Sequence, residues 1–187
     1  EYVDILKRVW TSDRPIDHDG RYYKFKSAFS DVKPFQTPRI PIYFGGSSDA
    51  AIEIAGKHAD IYALWGEPLD EAARTITKVR AVAARYNRLL RISLSLRPIL
   101  APTEEEAWAR AERILQTIQR TRGAAMLGVA KGTPQNVGSQ RLLAAAARGK
   151  VLDKRLWTEV AAATGARGNT RALVGTPEQG TEALLPK

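Results

Sequence analysis

The stretch IPIYFGGSSDAA, residues 40–51, passes from a short apolar run through two glycines and two serines into alanine-rich sequence. The apolar run Ile42–Phe44 predicts a strand. The following segment, Ser48–Ala59, carries its apolar residues on one face at the helical period and predicts a helix. The stretch therefore predicts a strand that enters a helix through a tight, glycine-containing bend.

The bend has two interpretations. Backbone N–H groups and serine hydroxyls at the start of a helix lie at the positive end of its dipole, and this arrangement favours phosphate binding. The same residues also suit a plain turn in which Ser47 or Ser48 caps the helix. The bend matches neither a P-loop nor a GxGxxG fingerprint. The stretch alone therefore leaves both interpretations open.

Two further strand–helix units follow. Asp60–Trp65 is an apolar strand, Leu69–Tyr86 has the helical period, and Arg91–Ala101 alternates apolar and polar residues as a strand does. Thr103 and Glu106 form a capping-box pattern at the next helix. This order predicts an α/β fold with parallel strands, either an open doubly wound sheet or part of a (β/α)8 barrel. A whole barrel takes about 250 residues.

The composition is that of an ordinary globular domain, so we treat residues 1–187 as a single domain. There is no apolar run of eighteen residues, which predicts no membrane span. Cysteine is absent, and His18 and His58 are far apart, so neither a disulfide nor a metal site is expected. The net charge of +9 comes from arginines scattered along helical segments. This scatter argues against a nucleic-acid partner. Both ends lie within helical patterns and predict a piece of a longer chain.

Other polar and aromatic positions could belong to a site. Trp65 ends the second strand, where it could wall a flat ligand or belong to the core. Ser93, Ser95 and Arg97 form the polar face of the third strand. Inside a parallel barrel they would point inward, where an arginine needs an anionic ligand or a carboxylate; on an antiparallel edge they would face water. No catalytic triad or paired carboxylates stand out, so the chemistry is expected to come from a cofactor. The glycine-rich stretch ATGARGNTRALVGTPE, residues 163–178, is typical of a loop connection.

The segments IPIYFGGSSDAA, DIYALWGEP, NVGSQRLLAAAARGK, RLW and ARGNTRALVG occur in this order along the chain. In these segments the sequence resembles the flavin-dependent alkanesulfonate monooxygenases of the bacterial luciferase-like family. The resemblance implies a (β/α)8 barrel, of which this chain holds about strands five to seven, an insertion, and the approach to strand eight. It implies reduced FMN (FMNH2) and O2 as reactants, and release of sulfite and an aldehyde from an alkanesulfonate. It also implies a separate NAD(P)H-dependent flavin reductase. We expect a homo-oligomer for the full-length protein, and the absence of cysteine is compatible with a cytoplasmic location.

The resemblance also assigns roles to individual residues. Gly46, Ser47 and Ser48 would contact the flavin phosphate, and Trp65 would lie beside the isoalloxazine ring. Arg167 falls in a loop that resembles the lid whose arginine closes over flavin and substrate. Where the family carries an Arg-x-His pair on the seventh strand, this chain has Ser95 and Arg97, so the histidine is missing. We expect Arg97 and Arg167 to neutralise an anionic substrate or a developing oxyanion.

Three alternatives remain open at this stage. The chain could belong to another oxidoreductase of the same superfamily, for example one that uses the deazaflavin F420. It could instead be a protein that binds a phosphate-bearing ligand without catalysis. It could also be an inactive remnant of a truncated gene.

Overall fold

The structure is a computed structural model that describes residues 1–125, 134–166 and 171–185. The elements in chain order are α1 (Tyr2–Thr11), β1 (Ile16–Asp19), β2 (Lys24–Ala28), β3 (Tyr43–Gly45), α2 (Asp49–His58), β4 (Ile61–Trp65), α3 (Leu69–Arg85), β5 (Arg91–Ser95), β6 (Arg97–Leu100), α4 (Glu104–Ala125), α5 (Val137–Arg148), β7 (Val151–Leu152), β8 (Leu156–Trp157), α6 (Glu159–Thr164), β9 (Ala172–Gly175) and α7 (Pro177–Leu184).

The strand that precedes the bend lies in a three-stranded sheet with the order β3–β4–β5. Both pairings are parallel, with Phe44 opposite Tyr62 and Tyr62 opposite Ile92. Helices α2 and α3 connect the strands and pack together on one side of the sheet. This sheet confirms the predicted α/β fold with parallel strands and helical crossovers, whereas the sheet that contains β7, β8 and β9 is mixed, with antiparallel β7–β8 and β8–β9 pairs. The described residues do not close a barrel.

The predicted third strand, Arg91–Ala101, is divided at Leu96. Its first part, β5, pairs with β4, whereas its second part, β6, pairs in parallel with β9. Leu96 packs over Gly66, because a Cβ atom placed on Gly66 would fall 2.1 Å from Leu96 Cδ2. The prediction of one continuous strand is therefore wrong. The change of sheet also breaks the alternation that put Ser93, Ser95 and Arg97 on one face.

The glycine-rich stretch contains a strand that composition did not indicate. Strand β9 is buried along its whole length and lies between β6 and β8, so four strands form a second sheet in the order β6–β9–β8–β7. Helix α7 follows at once, and Thr176 and Gln179 form a capping box at its start. The prediction of a loop connection is thus wrong for the part of this stretch after residue 171.

Besides the two-stranded antiparallel sheet of β1 and β2, there are the three-stranded and four-stranded sheets, and an apolar cluster supports each of these two. The cluster between the first sheet and helices α2 and α3 contains Ile52, Ala55, Ala59, Tyr62, Leu64, Val79, Val82, Ala83 and Leu90. The cluster between the second sheet and helix α4 contains Ile99, Ala107, Ala111, Leu115, Trp157, Ala172 and Val174. Because Tyr62 and Leu64 face the helices, the alternating residues Ala63 and Trp65 face the other side of the first sheet.

Candidate functional site

A cavity of about 690 Å³ lies at the carboxyl ends of β3 and β4. This volume falls within the roughly 300–1,000 Å³ range of small-molecule and cofactor sites. The lining comes from the bend after β3, the end of β4, the end of β5 and the start of α5, and consists of Gly45, Gly46, Ser47, Ser48, Ala63, Leu64, Trp65, Glu67, Ser95, Gln135, Asn136, Val137 and Gly138. In α/β folds, this end of parallel strands is where ligands bind.

The bend after β3 combines the two interpretations that the sequence left open. Ser48 is the N-cap of α2, and its side chain accepts a hydrogen bond from the Ala51 N–H at 3.2 Å. Ser47 lines the cavity, and within the described residues its hydroxyl makes no hydrogen bond, so it can donate to a ligand. One serine therefore caps the helix and the other faces the cavity.

Close packing fixes the path of the bend. A Cβ atom on Gly46 would lie only 2.7 Å from the Ala51 Cβ, so the backbone passes the helix where only glycine fits. The hydroxyl of the fully buried Tyr62 donates a hydrogen bond to the Gly46 carbonyl. The bend is thus anchored to the sheet below it, and its N–H groups stay at the start of α2.

Trp65 forms one side of the cavity. Its side chain is 36% exposed, so it does not belong to the core, the alternative that the sequence left open. The first turn of α5 packs against it: a Cβ atom on Gly138 would be 3.1 Å from Trp65 Cζ3 and 3.5 Å from Ser47 Oγ. Asn136 caps this helix by accepting from the Ser139 N–H at 2.7 Å. Two helix N-termini therefore meet at one cavity.

The contribution of α5 to the cavity was not predicted from the sequence. The Asn-x-x-Ser cap before a run of apolar residues signals a helix start at residue 136. That signal does not show where in space the helix begins, because the first turn reaches Trp65 from more than seventy residues along the chain.

Glu67, a buried carboxylate in the cavity lining, was also not predicted from the sequence. Arg141 of α5 donates to Glu67 Oε2 at 2.6 Å and to Thr75 Oγ1 at 2.8 Å through the same nitrogen. Burial raises the pKa of Glu67, and the Arg141 guanidinium opposes that rise. Glu67 and Thr75 thus hold α5 in place through Arg141.

The residues predicted as a site divide into three groups. Gly46, Ser47, Ser48 and Trp65 come together at the cavity, as does Ser95. Arg97 is not in the lining: it is exposed on β6 and shares a strand face with Ile99, which packs into the cluster against α4. Arg167 lies outside the described residues.

The arrangement suits an anionic, partly flat ligand better than a metal ion. The donors at the cavity are N–H groups of two helix starts and a serine hydroxyl, while an indole ring supplies an apolar wall. Within residues that the structure describes, no group of His, Cys, Asp and Glu is placed to hold a metal ion.

The family model described as luciferase-like monooxygenase matches residues 1–185 of this chain. Solved structures of similar fold include a riboflavin lyase (RcaE) with modified FMN and substrate riboflavin, with a TM-score of 0.69, 20% identity, and coverage of 98% of this chain and 48% of that one. The EDTA monooxygenase EmoA from Chelativorans sp. BNC1 has a TM-score of 0.66 and 18% identity, with 98% and 49% covered. The F420-dependent tetrahydromethanopterin reductase from Methanopyrus kandleri has a TM-score of 0.63 and 14% identity, with 97% and 51% covered.

The chain spans about half the length of these three proteins. At 14–20% identity, the likeness to them establishes the fold alone. No helix in the described part of the chain has both the length and the apolar character that crossing a membrane requires.

Proposed function

The chain belongs to the luciferase-like monooxygenase family, and we propose that it is the phosphate-binding half of an enzyme that uses reduced FMN and O2. In this proposal the enzyme oxidises an alkanesulfonate or a similar small organic substrate and releases an aldehyde and sulfite. A (β/α)8 barrel would form in a longer chain that contains this one.

The observation that carries the proposal is the meeting of a phosphate cradle and an aromatic wall at one cavity. Gly46, Ser47 and Ser48 provide the cradle at the start of α2, and Trp65 provides the wall. The residues present fit a flavin nucleotide, because Gly46 lets the bend pass close to Ala51, and the bend with Ser47 then lines the cavity. Hydroxyl and N–H donors suit a phosphate, and an indole face suits a planar ring.

Each residue then has a physical task. The Ser47 hydroxyl and the N–H groups of the α2 first turn hold the phosphate through charge-assisted hydrogen bonds. Trp65 and the first turn of α5 orient the ring system and keep water from that side of the cavity. Reduced flavin, when bound, supplies the electrons for the reaction with O2.

Two arginines remain proposed for the substrate side. Arg167 would close over the site and neutralise an anionic substrate. Arg97 would do so only after a rearrangement that brings it to the cavity, because its present place on β6 is outside the lining. The substitution Arg97→Ala in a full-length enzyme tests whether Arg97 has this role. Unchanged steady-state kinetics would show that Arg97 does not take part in the site.

The remaining parts of the proposal concern partners. We propose that an NAD(P)H-dependent flavin reductase delivers the reduced FMN, that the full-length protein is a homo-oligomer, and that it works in the cytoplasm. One of the similar structures supports a flavin by its description, since it contains modified FMN.

Flavin binding tests the proposal directly. FMN added to the chain should quench tryptophan fluorescence, and Trp65→Ala should weaken FMN binding about tenfold, since a stacked aromatic wall contributes roughly 1–2 kcal/mol. Tyr86→Ala is the matched control, because Tyr86 is a comparably exposed aromatic residue at the far end of α3.

The outcomes separate the candidate functions. Absence of FMN binding would contradict the proposal and favour an inactive remnant. Preference for F420 over FMN would favour a deazaflavin-dependent oxidoreductase. F420 is the cofactor named in the description of one of the similar structures. Tight FMN binding without oxygen-dependent turnover in a full-length version would favour a non-catalytic binder.

A further inference from the structure

A second cavity, of about 420 Å³, adjoins the first and shares Ser47 with it. It opens between helices α2, α3 and α5 and is lined by Ser47, Ile52, Glu71, Arg74, Thr75, Lys78, Arg141 and Ala144. Three of these side chains are cationic and one is acidic. We refer to this cavity as the basic crevice.

Among the residues that the structure describes, the outer cations of the basic crevice pair with exposed carboxylates. Arg74 pairs with Asp70 at 2.9 Å, and Lys78 pairs with Asp49 at 2.5 Å. The Asp70 and Asp49 side chains are 52% and 89% exposed. Exposed ion pairs of this kind contribute little, so either cation can turn toward an anion in the basic crevice without a large loss.

The inner wall of the basic crevice is rigid and rich in donors. Arg141 uses a single nitrogen for its bonds to Glu67 and Thr75, which leaves further N–H groups of the guanidinium able to donate. The Thr75 hydroxyl accepts from Arg141 and keeps its own proton for donation. The acidic member, Glu71, is paired with Arg148 at 2.6 Å.

We propose that the basic crevice is an anion subsite for the tail of the cofactor. A phosphate held at Ser47 lies where the two cavities meet, so the next anionic group along a flavin tail would enter the basic crevice between Arg74, Lys78 and Arg141. The ligand class is a flavin whose tail carries a second phosphate, such as a flavin dinucleotide. This inference rests on the proposed flavin site and widens the class of cofactor that the site takes beyond FMN.

A comparison of two flavins tests the subsite. Binding of FMN and FAD is measured by fluorescence titration for the unaltered chain and for the double variant Arg74→Ala/Lys78→Ala. We expect the double variant to lose about tenfold in FAD affinity and less than about twofold in FMN affinity, because only FAD carries the second phosphate. The adenosine part of FAD is present when either protein is titrated with FAD, so a loss of FAD affinity in the double variant is assigned to the two missing cations.

A matched double variant and a free anion complete the experiment. Lys57→Ala/Arg80→Ala removes two exposed cations of α2 and α3 outside the basic crevice and should leave the ratio of FAD to FMN affinity unchanged. An unchanged ratio in Arg74→Ala/Lys78→Ala would overturn the inference while leaving the flavin site intact. Pyrophosphate alone could also protect the chain against thermal unfolding while the ratio of FAD to FMN affinity stays unchanged in Arg74→Ala/Lys78→Ala. This result would overturn the inference, because the basic crevice would then bind free anions and not the flavin tail. If neither flavin binds, the proposed function and the subsite both fail.

Discussion

The two ends of the sheet β3–β4–β5 differ in whether their polar residues have hydrogen-bond partners within the protein. At the amino end, the Asp60 carboxylate accepts hydrogen bonds from Arg39 at 2.6 and 3.1 Å, from Arg88 at 3.1 Å and from the Ile42 N–H at 2.8 Å. At the carboxyl end, Ser47 and Trp65 face an open cavity. The amino end is thus a closed network, whereas the carboxyl end leaves donors available for a ligand.

The contrast also extends to proton binding. Burial acts to raise the pKa of Asp60, but hydrogen bonds from Arg39 and Ile42 and the charge of Arg39 outweigh it and lower the pKa to about 2. At the opposite end, burial raises the pKa of Glu67 despite Arg141. The amino end is a satisfied ionic network and the carboxyl end holds a buried acid beside an open cavity, which matches the division between stability and binding known in (β/α)8 barrels.

The largest expected effect comes from breaking the amino-end network. Asp60→Asn should lower the free energy of unfolding by about 3 kcal/mol, because it leaves Arg39 and Arg88 without a countercharge. FMN affinity of the folded protein should stay the same. Urea denaturation and flavin titration measure the two quantities. Asp19→Asn, which removes an exposed pair with Lys24, should change stability by less than about 0.5 kcal/mol. If Asp60→Asn also lost about 3 kcal/mol in the free energy of FMN binding, the two ends of the sheet would not have separate roles.

The same network predicts a pH dependence. Because the pKa of Asp60 is lower in the folded protein than in the unfolded chain, its stabilisation is complete above about pH 4 and is lost as the pH falls through about 2. The loss amounts to about 2 kcal/mol. Glu104, whose pKa is also lowered to about 2 by hydrogen bonds from Arg155 and Gln179, titrates in the same window. The free energy of unfolding should therefore fall less steeply between pH 5 and pH 2 for Asp60→Asn than for the unaltered protein. It should still fall, because Glu104 titrates in both proteins.

An intermediate effect is expected where α5 meets the cavity wall. Gly138→Val should weaken FMN binding about tenfold, because the added atoms collide with Trp65 and push the first turn of α5 out of place. The free energy of unfolding should fall by about 1 kcal/mol, because the same overpacking strains the start of α5. Gly149→Val, at the other end of α5 where a Cβ would meet neighbours only at 3.6 Å, is the control. Equal affinities for both variants would show that α5 does not shape the binding site.

The smallest effects should distinguish the two serines of the bend. Ser48→Ala should cost about 1 kcal/mol of stability through loss of the helix cap. Ser47→Ala should leave stability unchanged and weaken FMN binding about fivefold, as the loss of one hydrogen bond to a phosphate would. Thermal unfolding and flavin titration of the two variants provide the measurements. A loss of stability in Ser47→Ala would assign that serine to the turn rather than to the ligand.

Features that depend on neighbouring residues could be predicted from the sequence. The capping box at α4 is present, since Glu106 N donates to Thr103 Oγ1 at 3.2 Å and Thr103 N donates to Glu106 Oε2 at 3.3 Å. The cap at Ser48 and the strand–helix order are local in the same way. The division at Leu96 could not be predicted, because the choice of partner strand depends on β9, more than seventy residues away.

The sequence by itself determined the order of strands and helices and the bend with its serines, because capping, periodicity and glycine geometry act over a few residues. Only the tertiary structure decided that Trp65, Glu67 and the first turn of α5 surround one cavity, and that Arg97 lies outside it. The physical reason is the packing between distant segments. The Glu67–Arg141 bond joins residues 74 positions apart. After Leu96 the chain pairs with β9 instead of β4, and this change of partner strand places Arg97 outside the cavity.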